Sequence, residues 1–204
     1  MVSSDNLPKN HRIAEKFPGT STALIIASHG SEDIELVTSI DVLRRCGVEV
    51  TVASLQDSET IKCTNGTEIK VDVKLSDVKT KLFHAIVLPG GGPGSKAFCE
   101  SSTVGEILKA HEKDERIIAA ICAAPTAISA HKISPGCNLT SYPCFSQQLI
   151  DNGYKYSEDR VVVHNERIIT SRGPATAMEF AFVVSDYLVG EVKVNEVKKA
   201  MLII

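Results

Sequence analysis

Short apolar runs alternate with segments of helical periodicity along most of this chain. That is the pattern of a parallel sheet covered by helices on both faces. The run ALIIA at 23–27 reads as a buried strand, followed by a polar turn at 28–33. Leu36, Val37, Ile40 and Leu43 then recur at helical spacing, and Gly47 ends that helix. Residues 48–55 form the next strand. Residues 56–76 are polar, with extended pieces around 61–63 and 67–73 separated by Asn65 and Gly66, a hairpin turn pair. The run at 85–88 reads as a strand entering the glycine-rich stretch PGGGPG at 89–94. Thr103, with Glu106 three residues on, matches a helix capping box. Val104, Ile107, Leu108 and His111 then share one helical face. The run IIAAI at 117–121 is another buried strand; it ends at Cys122 and leads into a short helix of small residues at 123–130. Residues 139–142, 160–164 and 167–171 read as further strands. Phe180, Val183, Val184, Tyr187 and Leu188 form a helical stripe, and a last amphipathic segment carries Val194, Val197 and Met201.

These elements make one α/β domain over residues 21–204, preceded by a polar, flexible arm at 1–20. A chain of 204 residues suits a single sizeable core. Apolar residues at 43% and charged residues at 23% match ordinary globular usage, which argues against a disordered chain. The net charge of −3, without a basic run, argues against nucleic acid or an anionic membrane as the main partner. No apolar stretch approaches the roughly 20 residues that span a bilayer, and residues 1–20 lack the apolar core of a secretion signal. The expected location is therefore cytoplasmic, compatible with mitochondrial or nuclear pools. The 6 cysteines are scattered, with no C-x-x-C pair, so neither a disulfide framework nor a zinc site is expected.

In an open parallel sheet, function sits where strands end. Three strand ends carry suggestive chemistry. At the third, Cys122 lies directly after a strand and before a helix, where unpaired N–H groups and the helix dipole favour a nucleophilic, oxidisable thiolate. Ala123 and Ala124 leave room for a sharp elbow. The alternative is a small core residue, because free cysteine is among the most buried types. At the second, Gly90, Gly91 and Gly92 can present backbone N–H groups as an oxyanion hole; the alternative is a plain tight turn between Pro89 and Pro93. The run is neither a dinucleotide fingerprint nor a Walker loop, so no nucleotide cofactor is expected. At the first, Glu35 is either a solvated helix-start acid or a buried carboxyl beside the cysteine, protonated and able to move a proton.

Taken in order, these stretches resemble the DJ-1/PfpI superfamily, and most closely its animal DJ-1 branch of parkinsonism-associated deglycases. The matching stretches are ALII at 23–26, EDIE at 32–35, DVLRRCG at 41–47, VTVA at 50–53, VLPGG at 87–91, IAAICAAPT at 118–126, TSRGP at 170–174 and EFA at 179–181. The resemblance covers about residues 22–202. It implies a flavodoxin-like three-layer sandwich with a mostly parallel central sheet, a nucleophile-elbow cysteine, an extra C-terminal helix, a homodimer and no cofactor. It implies that Cys122 is the nucleophilic and oxidation-sensitive cysteine and that Glu35 hydrogen-bonds its sulfur. Gly91 and Ala123, with Gly90 beside them, match the backbone donors that face bound oxygen. Arg45, Tyr142, Arg172, Gly173 and Pro174 match residues of the pocket or the dimer interface. The chain departs from the family pattern at two positions. Ala123 stands where protease-like relatives carry His directly after the cysteine, which removes a simple Cys–His dyad. Tyr142 stands where vertebrate-type members carry a pocket His. A phenol, with a reference pKa of about 10, is a poor base near neutrality, so more weight falls on Glu35. Lys70 takes the place of the family's interface cysteine.

The resemblance implies a cofactor-independent, glutathione-independent glyoxalase of the hydro-lyase type, or a protein deglycase, acting on methylglyoxal or its adducts and protecting against oxidative stress. The alternative uses the same residues without catalysis: a redox sensor or chaperone in which oxidation of Cys122 to the sulfinate controls binding to protein clients.

Overall fold

The structure is a computed structural model that describes residues 19–203. The arm at 1–20 therefore lies almost wholly outside the described residues. The main sheet has seven strands in the order β10-β11-β7-β6-β1-β2-β5. These are β1 (Thr22–Ala27), β2 (Glu49–Ser54), β5 (Val73–Lys74), β6 (Ala85–Leu88), β7 (Ile117–Ile121), β10 (Val161–His164) and β11 (Ile168–Ser171). All neighbours run parallel except the edge pair β10–β11. Two small two-stranded ladders flank it: β3 (Thr60–Lys62) with β4 (Glu68–Lys70), and β8 (Asn138–Leu139) with β9 (Lys155–Tyr156).

The strands are apolar on both sides because helices cover both. Ala23, Ile25 and Ala27 of β1 face a core shared with α1 (Asp33–Arg45), α7 (Ala177–Val189) and α8 (Glu191–Ala200). Leu24 and Ile26 face the opposite core, built with α2 (Leu75–Val78), α3 (Gly92–Glu100), α4 (Ser102–Lys113), α5 (Pro125–Ala130) and Leu149 of α6 (Ser146–Asp151). The result is the flavodoxin-like three-layer sandwich that the resemblance implies, extended by C-terminal helices.

Several local expectations need correction. The buried face of α1 is Glu35, Leu36, Ser39, Val42 and Leu43, while Val37 is 46% exposed. Val37 sits off the core stripe because it stands one residue, 100°, from Leu36, whereas Ile40 is half-buried and packs against the core with Leu36 and Leu43. The cap of α4 is Ser101, whose hydroxyl accepts from the Val104 N–H, so Thr103 lies inside the first turn. The glycine-rich stretch at 89–94 opens a full helix, α3, which turn-forming residues masked. The hairpin expected at Asn65 and Gly66 is present between β3 and β4: Cys63 N–H bonds Thr67 C=O, and Gly66 takes the positive φ that closes the loop. The strand expected at 139–142 is also shorter, and the piece ending at Val73 splits into β4 and a separate edge strand, β5.

Candidate functional site

Adjacent strands β1, β6 and β7 all end at the same edge of the sheet, and each delivers one part of the site. Glu35 arrives in the first turn of α1, after β1. Gly90 and Gly91 follow β6. Cys122 follows β7.

Cys122 has φ +64°, a left-handed conformation that a non-glycine residue adopts only when its surroundings impose it. They do so from both sides. Its N–H donates to Ser171 C=O at 3.0 Å, and its C=O accepts from Tyr142 N–H at 2.8 Å. Two residues on, Ala124 N–H closes a turn onto Ile121 C=O, and Pro125 opens α5. This is the expected elbow, and it turns the Cys122 side chain toward Glu35 and the β6 loop, leaving it 8% exposed.

Glu35 is fully buried. Gly90 N–H donates to its Oε2 at 2.7 Å. Its Oε1 has no well-aligned hydrogen bond, and the Cys122 thiol is in polar contact with the same carboxyl. Burial, helped by the negative charge of Glu32, pushes the Glu35 carboxyl up to about 7, against the opposing pull of Gly90 N–H and Cys122. The reading of Glu35 as a solvated acid is thereby excluded.

Gly90 and Gly91 are required for this approach. A Cβ on Gly90 would stand 2.5 Å from both the Cys122 Cβ and Glu35 Oε2. A Cβ on Gly91 would stand 2.2 Å from Gly30 C=O, and Gly91 has φ +90°. The Gly91 and Ala123 N–H groups both donate toward the Cys122 sulfur. The expected resting thiolate is nevertheless disfavoured. Burial and the charge of an ionised Glu35 push the thiol up to about 12, outweighing those two donors. Helix α5 starts three residues beyond the cysteine and spans 6 residues, so its dipole does little to offset this. A protonated Glu35 removes the repulsion and can donate its O–H to sulfur. The pair therefore holds one proton between two groups that do not ionise together.

The remaining residues separate into two places. Tyr142 is tied to the elbow through its backbone, stands 47% exposed, and lays its ring 3.5 Å from where a Gly173 Cβ would be. Gly173 and Pro174 follow β11, next to β7, and Arg172 Nη1 donates to Glu158 C=O at 2.7 Å. Tyr142 and Gly173 thus stand together beside the elbow, whereas the Arg172 side chain is turned to Glu158. Arg45 does not join them. It lies ten residues beyond Glu35, roughly 15 Å along the helix, and pairs with Asp41 at 2.7 Å on the surface. Within one chain it does not line the site.

One neighbour, within the matching stretch EDIE at 32–35, carried no signal of its own role. Glu32 is the cap of α1; its Oε2 accepts Glu35 N–H at 2.8 Å, and its own N–H donates to Gly90 C=O at 3.0 Å. Glutamate is not among the favoured capping residues, so position 32 read as an ordinary polar turn.

Comparison with known proteins gives the family of the chain. The profile of the DJ-1/PfpI family matches residues 21–186. Protein dj-1beta of Drosophila melanogaster is 45% identical over 90% of this chain and 98% of its own length, and its crystal structure superposes with a TM-score of 0.87. The glutathione-independent glyoxalase DJR-1.2 of Caenorhabditis elegans is 39% identical over 89% of this chain and 95% of its own. The structure of oxidised Toxoplasma gondii DJ-1 is 35% identical, with a TM-score of 0.85 over 90% of this chain and 98% of that one. With the elbow cysteine, the buried glutamate and the glycine loop in these places, the chain belongs to the DJ-1/PfpI family.

Proposed function

We propose that this protein is a cofactor-independent, glutathione-independent glyoxalase that converts methylglyoxal to lactate. The observation that carries this reading is the buried carboxyl of Glu35, held by Gly90 N–H on one oxygen and in contact with the Cys122 thiol. A nucleophile needs a base that takes its proton, and an isomerisation needs the same group to return it elsewhere. A carboxyl near 7 does both at neutral pH.

Sulfur attacks the aldehyde carbon of methylglyoxal as its proton passes to Glu35. The C=O π bond becomes a C–O bond, and the oxygen is stabilised by Gly91 and Ala123 N–H before it takes that proton. Glu35 then takes the C–H proton while the former ketone oxygen is protonated, giving an enediol, and returns it to the former ketone carbon as the hemithioacetal hydroxyl proton leaves, so one hydrogen moves from carbon to carbon and one from oxygen to oxygen. The aldehyde carbon is oxidised to a thioester, the neighbouring carbonyl carbon is reduced, and no outside electron carrier is needed. Water cleaves the thioester, releasing lactate and restoring the thiol. The same attack on aldehyde adducts of protein amines gives a deglycase, an extension of the first reading.

Acid-quenched protein after brief exposure to methylglyoxal should carry an acyl group on Cys122, found by peptide mass spectrometry. Absence of any Cys122 adduct at saturating methylglyoxal contradicts the covalent route.

A second reading is favoured by the unpaired Glu35 Oε1 and the two backbone donors around sulfur, which also suit the oxygens of a sulfinate. Oxidation of Cys122 would then control client binding, and the oxidised form of the Toxoplasma relative is in keeping with it. Multiple turnover separates the two. We also assign a homodimer, whose natural face is the exposed side of α1 with Ile34 and Val37, and place the protein in the cytoplasm. No helix among the described residues is long and apolar enough to cross a membrane.

A further inference from the structure

We propose that Glu32 is a positioning residue for this site: its carboxylate fixes the helix start that presents Glu35 and stands beside it as a like-charged neighbour. The inference rests on the reading of Glu35 as the proton carrier. Three contacts make Glu32 the joint between the two loops. Its side chain accepts Glu35 N–H at 2.8 Å, its N–H donates to Gly90 C=O at 3.0 Å, and its C=O accepts Leu36 N–H at 3.1 Å. Gly91 passes so close that a Cβ there would lie 2.7 Å from the Glu32 nitrogen. Movement of Glu32 therefore shifts Glu35 and the Gly90 donor together.

Capping alone does not account for a glutamate. Serine, threonine, aspartate and asparagine cap with a shorter side chain and are preferred at this position. Glu32 is 9% exposed, and the Glu35 N–H supplies the hydrogen bond that its carboxylate accepts there. The titratable groups facing Glu35 are Glu32 on its own helix and Cys122 at the elbow; the β6 loop offers only Gly90 N–H. Residues three apart on a helix stand about 5–6 Å from each other. At that distance a single charge, screened as in water, moves a neighbour's titration by roughly half a pH unit. The sign is that of like charges: Glu32 keeps Glu35 protonated to higher pH.

The test is the pH dependence of Cys122 alkylation by iodoacetamide, located by mass spectrometry, from mildly acidic to mildly alkaline pH. Wild type should show an inflection near 7 that Glu35→Gln abolishes. Glu32→Gln keeps an oxygen acceptor for the cap and removes the charge. Its inflection should move about half a pH unit toward acid, with a melting temperature close to wild type. Glu32→Asp keeps cap and charge and should restore the wild-type profile. An inflection that stays put in Glu32→Gln overturns the proposal, as does an equal shift in Glu32→Gln and Glu32→Asp. The readout needs no turnover: an alkylation shift without lactate leaves this inference standing and removes the glyoxalase, whereas lactate without a shift does the reverse.

Discussion

Glu35 carries the largest difference between what a local sequence suggests and what the fold makes of it. An acid in the first turn of a helix is ordinarily solvated and favoured by the dipole; here it has no exposed surface. Its titration moves from an ordinary 4.5 to about 7, so the folded chain holds a proton that the unfolded chain has released. Stability contributed by the protonated carboxyl is present below 4.5 and is lost as pH rises through 7, by about 3 kcal/mol at most. Glu35→Gln, neutral at every pH, should therefore gain melting temperature over wild type progressively from pH 4.5 to 7. A gap that does not change with pH contradicts the buried-acid account. The glycines make a second residue-scale prediction. Gly90→Ala and Gly91→Ala should each destabilise by about 1–3 kcal/mol in urea unfolding, with Gly91→Ala also strained by its φ of +90°. Residue by residue, the chemistry types were readable, but the choice between nucleophile and core cysteine, or oxyanion loop and tight turn, was not. Burial and approach distance decide those choices, and both come from segments distant in the chain.

At the scale of elements, long periodic segments were legible and short or glycine-rich ones were not. The stripe of Phe180, Val184 and Leu188 predicts α7, and all three are fully buried. Helix α3 is hidden in the sequence because Gly92, Pro93 and Gly94 form its first turn, where proline is tolerated and glycine ordinarily marks a break. The start of α4 was displaced by two residues because Thr103 and Glu106 imitate a capping box, whereas Ser101 does the capping. Ser101→Ala should accordingly cost about 1 kcal/mol in chemical denaturation, and Thr103→Ala much less. Equal effects at both positions contradict the assignment of the cap.

For the whole molecule, the strand order explains why three separate motifs meet. The chain runs from β1 to β2 on one side, then returns to place β6 and β7 on the other. The switch point lies between β1 and β6, the place where such sheets bind ligands. Apolar periodicity predicts the strands but not their order, so this convergence was legible only through the resemblance to a family. Stability of the whole domain also has an acid side. His111 is buried, with Phe83 N–H donating to its Nε2 at 3.1 Å and its Nδ1 bonded to Ile107 C=O at 2.8 Å. Burial lowers its titration below the ordinary 6.5, so the unfolded chain takes up the proton first and stability is lost as pH falls below 6.5. Glu35→Gln, freed of the opposing carboxyl, should show that decline without the compensation present in wild type.

Whether Cys122 and Glu35 act together on an aldehyde is decided by lactate formed from methylglyoxal without glutathione, comparing wild type with Cys122→Ala and Glu35→Gln. The account predicts many turnovers per wild-type chain, none in Cys122→Ala, and a loss of roughly 100- to 10,000-fold in Glu35→Gln, the usual contribution of a positioned acid–base group. No lactate from folded, reduced wild type contradicts it and leaves Cys122 as a redox sensor.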